Sequence, residues 1–128
     1  TQEFAKSKNI MWITVISSAN GKQGYIPPKE AMNTFASFGS FPDHILIDEN
    51  GDLGKKFNAK TTPHIFIADK NKNIVYQGAI DDAGGSKFWT TDLNQSTNFV
   101  KKVVNDIKSN KPLSVSKTRP YGCSVKYG

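Results

Sequence analysis

The sequence contains a single cysteine, Cys123, among its 128 residues. One cysteine cannot form a disulfide within the chain, and it cannot supply the two or four thiolates of a zinc finger or zinc ribbon. A catalyst that carries its own pair of thiols is excluded for the same reason. Any thiol–disulfide chemistry by this sequence therefore requires a thiol on a partner.

Long hydrophobic runs are also absent. No apolar run approaches the roughly 18 residues that cross a bilayer, and the chain does not open with the basic, apolar and small-residue pattern of a signal peptide. We therefore predict no transmembrane segment. Hydrophobic residues make up 37% of the sequence, and a single domain of this length can bury a core without a metal or a disulfide. We predict a folded domain with no cofactor and no metal site.

Arginine occurs once, at Arg119, and the net charge of +6 is unevenly distributed. Lysines and acidic residues are equal in number over residues 1–95, so the excess of positive charge arises in residues 96–128. These basic residues are too widely spaced, and too poor in interleaved aromatics, for a nucleic-acid surface. The distribution predicts a solvated face on the last helix followed by an exposed basic tail. Attraction to acidic partners remains open.

Hydrophobic periodicity predicts helices alternating with strands in the first half of the chain. Residues 10–16 form an apolar run rich in β-branched side chains, which is typical of a strand buried on both faces. Pro27 and Pro28 can open a helix, and Gly39 can end it. The predicted elements are the end of a helix at 1–8, a strand at 10–16, a helix from Pro27 to Gly39, a short strand at 45–47 and a short helix at 53–57.

The second half predicts an antiparallel hairpin and a final helix. Strands at 65–68 and 74–76 flank a polar stretch of hairpin length. A long polar loop follows the second strand. In this loop Asp81 and Asp82 suit either a turn or a cation site. Phe88 and Trp89 are expected to anchor the loop to the domain. Ser96 or Thr97 can cap the last helix, whose predicted buried stripe is Phe99, Val100, Val103, Val104 and Ile107. The predicted division is a domain at 1–111 and a basic tail at 112–128, and the fold class is α/β with a mixed central sheet flanked by helices.

A set of short motifs occurs in a characteristic order. They are Phe41-Pro42, Ile47-Asp48, Gly51, Phe57, Ala59-Lys60-Thr61-Thr62-Pro63, Phe66-Ile67-Ala68-Asp69 and Val75-Tyr76-Gln77-Gly78. Together they resemble the second half of the thioredoxin superfamily, and in particular the redoxin domains of the alkyl hydroperoxide reductase and thiol-specific antioxidant type. Residues 17–25 and 119–127 resemble one bacterial branch of those proteins. The resemblance implies a three-layer thioredoxin-like fold that lacks its first strand and most of its first helix.

The resemblance also implies a function. The reactive thiol of the family lies at the start of the first long helix, where the helix dipole stabilises a thiolate, and this position is upstream of Thr1. The intact protein is then expected to be a thiol-dependent antioxidant oxidoreductase that reduces hydroperoxides or exchanges disulfides, while this chain alone is inactive. The alternatives are a non-catalytic protein-binding module and a copper-handling relative. The implied location is bacterial and periplasmic or exported, and otherwise cytoplasmic.

Three consecutive residues match the substrate groove of the superfamily. Pro63 matches the position of its cis-proline, and the backbone of Thr62 is expected to be free to pair with an extended substrate segment. His64 is expected to lie near the cleft, as a proton donor or, together with a thiolate, as a ligand for a soft metal. The alternative for Pro63 is an ordinary trans-proline that begins an edge strand.

Cys123 has two interpretations. In one it is an inert thiol; in the other it is a resolving thiol that forms a disulfide with the upstream nucleophile or with a partner's thiol, and nearby Arg119 and Lys126 modestly favour its thiolate. The absence of a first strand would expose core around Trp12 and Ile13, which predicts a possible homodimer. The expected partners are thus a thiol or disulfide protein, or a hydroperoxide.

Overall fold

The computed structural model describes residues 1–82 and 97–127. Within them the chain forms an α/β fold with small sheets. The elements are α1 (Gln2–Ser7), β1 (Ile13–Ile16), α2 (Pro28–Ser37), β2 (His44–Ile47), α3 (Asp52–Lys56), β3 (Thr61–Thr62), β4 (Ile65–Ala68), β5 (Ile74–Gly78), α4 (Phe99–Lys108) and β6 (Cys123–Ser124). None of the helices in these ranges has the length and apolar character needed to cross a membrane.

The chain divides into two compact units. One contains Thr1 and Lys60–Ser124, and the other contains Gln2–Ala59 together with the chain from Val125 onward. This division differs from the predicted boundary between residues 111 and 112, because segments far apart in sequence pair within each unit. The strands also pair differently from the single mixed sheet we predicted. They form three two-stranded sheets among the described residues, with β1–β2 parallel and both β3–β6 and β4–β5 antiparallel.

The Gln2–Ala59 unit is built on a β–α–β segment. β1 and β2 run parallel, with Ile13 opposite His44 at one end of the ladder, and α2 connects them. Pro28 occupies the first turn of α2, where a missing N–H costs nothing. Gly39 follows the helix with a φ of +74°, the left-handed conformation that commonly ends helices. The predicted helix and both of its end signals are confirmed.

The predicted burial of β1 on both faces is wrong. Ile16 is buried, but Ile13 is 48% exposed and Val15 is 40% exposed. On the neighbouring strand Leu46 is 44% exposed. Because successive side chains of a strand point to opposite faces, the exposed residues of each strand share one face, and that face of the β1–β2 pair is apolar and open.

Asp48 joins the end of β2 to the start of α3. Its carboxylate accepts hydrogen bonds from the Ser17 hydroxyl at 2.7 Å, from the Leu53 backbone N–H at 3.1 Å and from the Gly54 backbone N–H at 2.8 Å. Burial raises the pKa of this carboxyl, but the hydrogen bonds from Gly54, Ser17 and Leu53 outweigh burial, and the net pKa lies below its usual value of 3.8. The ionised form of Asp48 is thus the form that the fold stabilises.

We expect Asp48→Asn to lower the free energy of unfolding by about 1–2 kcal/mol at pH 7, because one acceptor oxygen is replaced by a donor that faces backbone N–H groups. A depressed carboxyl pKa stabilises the fold fully above the pKa of the unfolded chain, and this contribution is lost as the pH falls through the pKa of the folded state. The difference between wild type and variant should therefore shrink below about pH 4. Urea unfolding at several pH values measures it, with exposed Glu49→Gln as the control; a difference that does not change with pH would contradict this role.

The Lys60–Ser124 unit contains the predicted hairpin. Ile65 lies opposite Gly78 in the β4–β5 ladder. In the connecting turn the Asp69 carboxylate accepts hydrogen bonds from the backbone N–H groups of Asn71 at 2.9 Å and Asn73 at 3.0 Å. These two bonds satisfy turn amides that the ladder leaves unpaired. The hairpin prediction is confirmed.

The core of this unit lies between β5 and α4. Tyr76 and Val103 are completely buried, and Val100 and Val104 are almost so, which confirms the predicted buried stripe at these valines. The N-cap of α4 is Asn98, whose side chain accepts a hydrogen bond from the Lys101 N–H at 2.9 Å. Neither predicted cap has this role: Thr97 precedes the N-cap, and Ser96 lies outside the described residues, as do Phe88 and Trp89.

The segment after Pro112 is not a free tail. The Gln77 N–H donates to the Ser116 carbonyl at 3.1 Å, and the Thr118 N–H donates to the Gln77 carbonyl at 3.1 Å. Further along, Cys123–Ser124 form β6. Its residues are exposed or half-buried, as predicted, but the segment is part of the fold because its backbone pairs with strands that precede it by more than 30 residues in the sequence.

Candidate functional site

The three residues predicted to line a substrate groove lie at one bend of the chain. Thr62 is the last residue of β3, and β4 begins at Ile65. Pro63 and His64 therefore connect the two strands. The Thr62–Pro63 peptide bond is cis, which agrees with the cis alternative of the sequence analysis.

His64 is held in one orientation. Its Nδ1 accepts a hydrogen bond from the Lys60 backbone N–H at 3.2 Å, and its ring stacks on Phe66 with centroids 4.5 Å apart. Burial and the nearby charge of Lys60 both lower the pKa of His64 below its usual 6.5, so the imidazole is neutral at pH 7. Since Nδ1 is an acceptor, the proton resides on Nε2. His64 can therefore donate a hydrogen bond through Nε2, but a neutral imidazole is too weak an acid for the expected role of proton donor.

The predicted free backbone at Thr62 is wrong, because another segment of the chain pairs with it. β3 pairs antiparallel with β6, with Thr62 opposite Cys123 and Thr61 opposite Ser124. The chain supplies its own extended segment at the edge where a substrate strand was expected. This pairing could not be predicted from the sequence, because a two-residue strand has no detectable period.

Cys123 lies at this edge and is exposed, with no disulfide. Its position opposite Thr62 brings together two of the predicted site residues that are far apart in the sequence. Pro63 and His64 follow Thr62 directly. The four predicted site residues thus belong to one β3–β6 edge, which we call the Thr62 edge: Thr62, Pro63, His64 and Cys123.

Gly122 is a residue of this edge that sequence reasoning missed. Its φ is +133°, and a Cβ added there would meet the Thr62 carbonyl oxygen, would lie 2.9 Å from the Thr62 carbonyl carbon and would lie 3.3 Å from Pro63 Cδ. Only glycine permits this conformation and this close approach of two backbones. The available signal was a glycine directly before Cys123.

Asp81 and Asp82 both accept hydrogen bonds from other residues of the Lys60–Ser124 unit. The Tyr121 hydroxyl donates to the Asp81 carboxylate. The Asp82 carboxylate accepts from the Thr97 N–H at 2.8 Å, and the Asp82 N–H donates to the Thr97 carbonyl at 3.2 Å. These contacts join Asp81 and Asp82 to residues at least 15 positions away in the sequence, so they are tertiary contacts and do not form the predicted turn. Within residues 1–82 and 97–127 no group of three or more His, Cys, Asp or Glu is arranged to hold a metal ion.

In the other unit, Tyr127 anchors the end of the chain. Its hydroxyl donates to the Ala59 carbonyl at 2.8 Å, and Lys55 Nζ lies over its ring at 5.3 Å from the centroid. The ring packs so closely on Gly51 and Gly54 that a Cβ at either position would lie 3.0 Å from its Cε1 atom. The lack of a side chain at these two glycines therefore leaves room for the ring of Tyr127.

Comparison with known proteins shows the fold but no family. No family model matches the chain, and no curated protein matches it. Two of the solved structures that are similar to the chain show how far the likeness extends. A hypothetical protein from Sinorhizobium meliloti 1021 has a TM-score of 0.79 at 20% identity over 97% of this chain, and an uncharacterized conserved protein from Geobacillus kaustophilus has a TM-score of 0.79 at 19% identity over 99% of it. The chain spans 65% and 66% of the length of these two proteins.

Proposed function

We propose that this chain is a thioredoxin-like redoxin and that the Thr62 edge carries out thiol–disulfide exchange through Cys123. The main support for this proposal is that Cys123 lies directly opposite Thr62 in the β3–β6 pair. The resemblance to redoxins rests on Thr62 and Pro63 in one part of the sequence and on residues 119–127 in another. The two parts meet at a single strand pair, and the thiol there is exposed.

The proposed chemistry needs a sulfur atom on a partner, because the chain has one cysteine. In exchange, the Cys123 thiolate attacks a partner disulfide, one new S–S bond forms, and the other partner sulfur leaves as a thiolate that takes up a proton. In hydroperoxide reduction, the peroxide first oxidises a partner thiolate to a sulfenic acid and leaves as an alcohol or as water. Cys123 then condenses with that sulfenic acid to a disulfide and releases one water.

His64 is the proposed hydrogen-bond donor to the reacting sulfur atoms. It is neutral at pH 7 because burial and Lys60 lower its pKa, and its Nδ1 is occupied by the Lys60 N–H. Nε2–H is therefore the group that can donate a hydrogen bond to a departing thiolate, which takes up its proton from water. The stacking on Phe66 fixes the direction in which this N–H points.

A non-catalytic binding module is the second candidate, and one observation favours it. The open face of the β1–β2 pair exposes Ile13, Val15 and Leu46, and an exposed apolar face of this kind is typical of a protein contact surface. A second copy of the chain is the proposed partner at this face. Sedimentation equilibrium tests this candidate, and a monomer across the accessible concentration range would contradict it.

Reaction with oxidised glutathione tests the proposed function. We expect the folded chain to gain one glutathionyl group on Cys123 and to release one glutathione, as intact mass and a thiol assay will show. Cys123→Ser is the control and should gain nothing. A folded protein that gains no adduct, although the urea-unfolded chain does, would contradict the exchange function and favour the binding module.

A further inference from the structure

The short strand β6 occupies the position that an incoming strand would need. β3 and β6 have two residues each, and their register places Thr61 opposite Ser124 and Thr62 opposite Cys123. Strand addition works by pairing the backbone of an extended segment with the free edge of a strand. At the Thr62 edge that pairing is already made by the chain itself.

The β3–β6 pair is short and exposed. Thr62, Cys123 and Ser124 are all exposed, and a ladder this short buries no apolar side chain. Segments with few buried contacts and solvent-exposed backbone hydrogen bonds are the ones that open at low free energy. The residues just before β6 are held more firmly, because the Thr118 hydroxyl accepts from the Ala79 N–H at 2.9 Å in the core of the Lys60–Ser124 unit.

The fit of β6 on β3 is selective. With φ at +133°, Gly122 lies so close to Thr62 that an added Cβ would meet the Thr62 carbonyl oxygen and would lie 3.3 Å from Pro63 Cδ. Any strand that replaces β6 in the same register meets the same restriction. An incoming segment must therefore be extended and must have glycine directly before the residues that pair with Thr61 and Thr62.

We propose that Gly122–Ser124 is a self-complementing strand that blocks the Thr62 edge, and that a partner polypeptide with an extended, glycine-containing segment binds this edge only by displacing β6. The inference rests on the proposed function, in which this edge receives the partner. It adds that β6 covers the Thr62 edge when no partner is bound. It also adds that the partner segment resembles the sequence around Gly122. Displacement also frees Cys123 from its strand.

Peptide binding tests this inference. The probe is a labelled synthetic peptide with the sequence of residues 118–127, in which serine replaces cysteine so that no disulfide can form. We expect Gly122→Ala, which loosens β6, to bind the probe at least tenfold more tightly than wild type does. A control peptide with alanine in place of its glycine should bind neither protein. Equal affinity of wild type and variant for the probe, or equal affinity of the variant for the two peptides, would overturn the inference.

A disulfide between β3 and β6 gives a second test, and this test does not depend on the stability of Gly122→Ala. Thr62→Cys places a second thiol opposite Cys123. Diamide removes two electrons and two protons from the pair, which forms a disulfide, and is itself reduced to the hydrazine. Oxidation should lower the affinity for the probe at least tenfold, and dithiothreitol should restore it. An affinity for the probe that does not change when the disulfide forms would overturn the inference.

The two sets of experiments separate the inference from the proposed function. The probe peptide has no thiol, so its binding reports only whether β6 can be displaced from the Thr62 edge. Failure of the reaction with oxidised glutathione, with peptide binding as expected, would overturn the exchange function alone. Unchanged peptide binding, with Cys123 fully reactive, would overturn only the blocking role of β6.

Discussion

Gly78→Ala is expected to lower the free energy of unfolding by about 3 kcal/mol. Gly78 ends β5 with a φ of +143°, which L side chains rarely adopt. A Cβ there would lie 2.5 Å from the Thr118 carbonyl oxygen and 2.8 Å from the Thr118 backbone nitrogen. Because these neighbours are backbone atoms, they cannot rotate away. The substituted chain must separate β5 from the segment around Thr118, and Tm should fall by about 10 °C.

Gly39→Ala is the control for backbone conformation alone. Gly39 also has a positive φ, +74°, but nothing lies within 4 Å of its added Cβ. We expect this variant to lose only about 1 kcal/mol, the usual cost of a left-handed conformation for alanine. Thermal unfolding by circular dichroism measures both variants. Equal losses for Gly78→Ala and Gly39→Ala would contradict the close approach of Thr118 to β5.

Tyr76→Phe is expected to cost about 2 kcal/mol. Tyr76 is completely buried, and its hydroxyl donates to the Ala79 carbonyl at 2.6 Å. The Thr118 hydroxyl oxygen lies 2.6 Å from the Tyr76 hydroxyl oxygen and accepts a hydrogen bond from the Ala79 N–H at 2.9 Å. The three groups form a closed ring of hydrogen bonds in which each hydroxyl donates once and accepts once. Loss of the Tyr76 hydroxyl leaves the Ala79 carbonyl and the Thr118 hydroxyl without these partners.

Thr118→Val completes a double-mutant cycle with Tyr76→Phe. Both variants break the same ring, so the double variant should lose less than the sum of the two single losses, with a coupling of about 1 kcal/mol or more. Urea unfolding supplies the four free energies. Additive losses would show that Thr118 does not share a hydrogen-bond ring with Tyr76, and would contradict the attachment of the C-terminal segment to β5.

Local structure could be predicted from the sequence wherever a local signal is strong. The turn at Asp69–Asn73 has polar residues of hairpin length, and α2 has proline at its start and glycine after its end. The α4 stripe follows the period of a helix, and Val100 and Val103 are buried as predicted. In each case the interactions that decide the structure join residues that are close in the sequence.

The C-terminal segment could not be predicted in this way. Its backbone pairs with β5 and β3, and those partners are set by tertiary structure rather than by any period in residues 113–124. The burial of β1 was mispredicted for a related reason, because an apolar run shows that a strand can be buried but not which element covers it. Ile13 and Val15 are exposed although their sequence is typical of a central strand. Cys123 was identified as a candidate, whereas its position opposite Thr62 required the structure.

The rate of reaction of Cys123 with oxidised glutathione at pH 7, in the folded protein and in the urea-unfolded chain, tests the central claim most directly. Cys123 lies at the Thr62 edge, where we propose that His64 Nε2–H donates a hydrogen bond to the leaving thiolate, and we predict a folded rate at least tenfold above the unfolded rate. His64→Phe removes the hydrogen-bond donor and should bring the folded rate close to the unfolded one. A folded rate equal to or below the unfolded rate would show that Cys123 is an ordinary surface thiol, and would contradict the proposed exchange function.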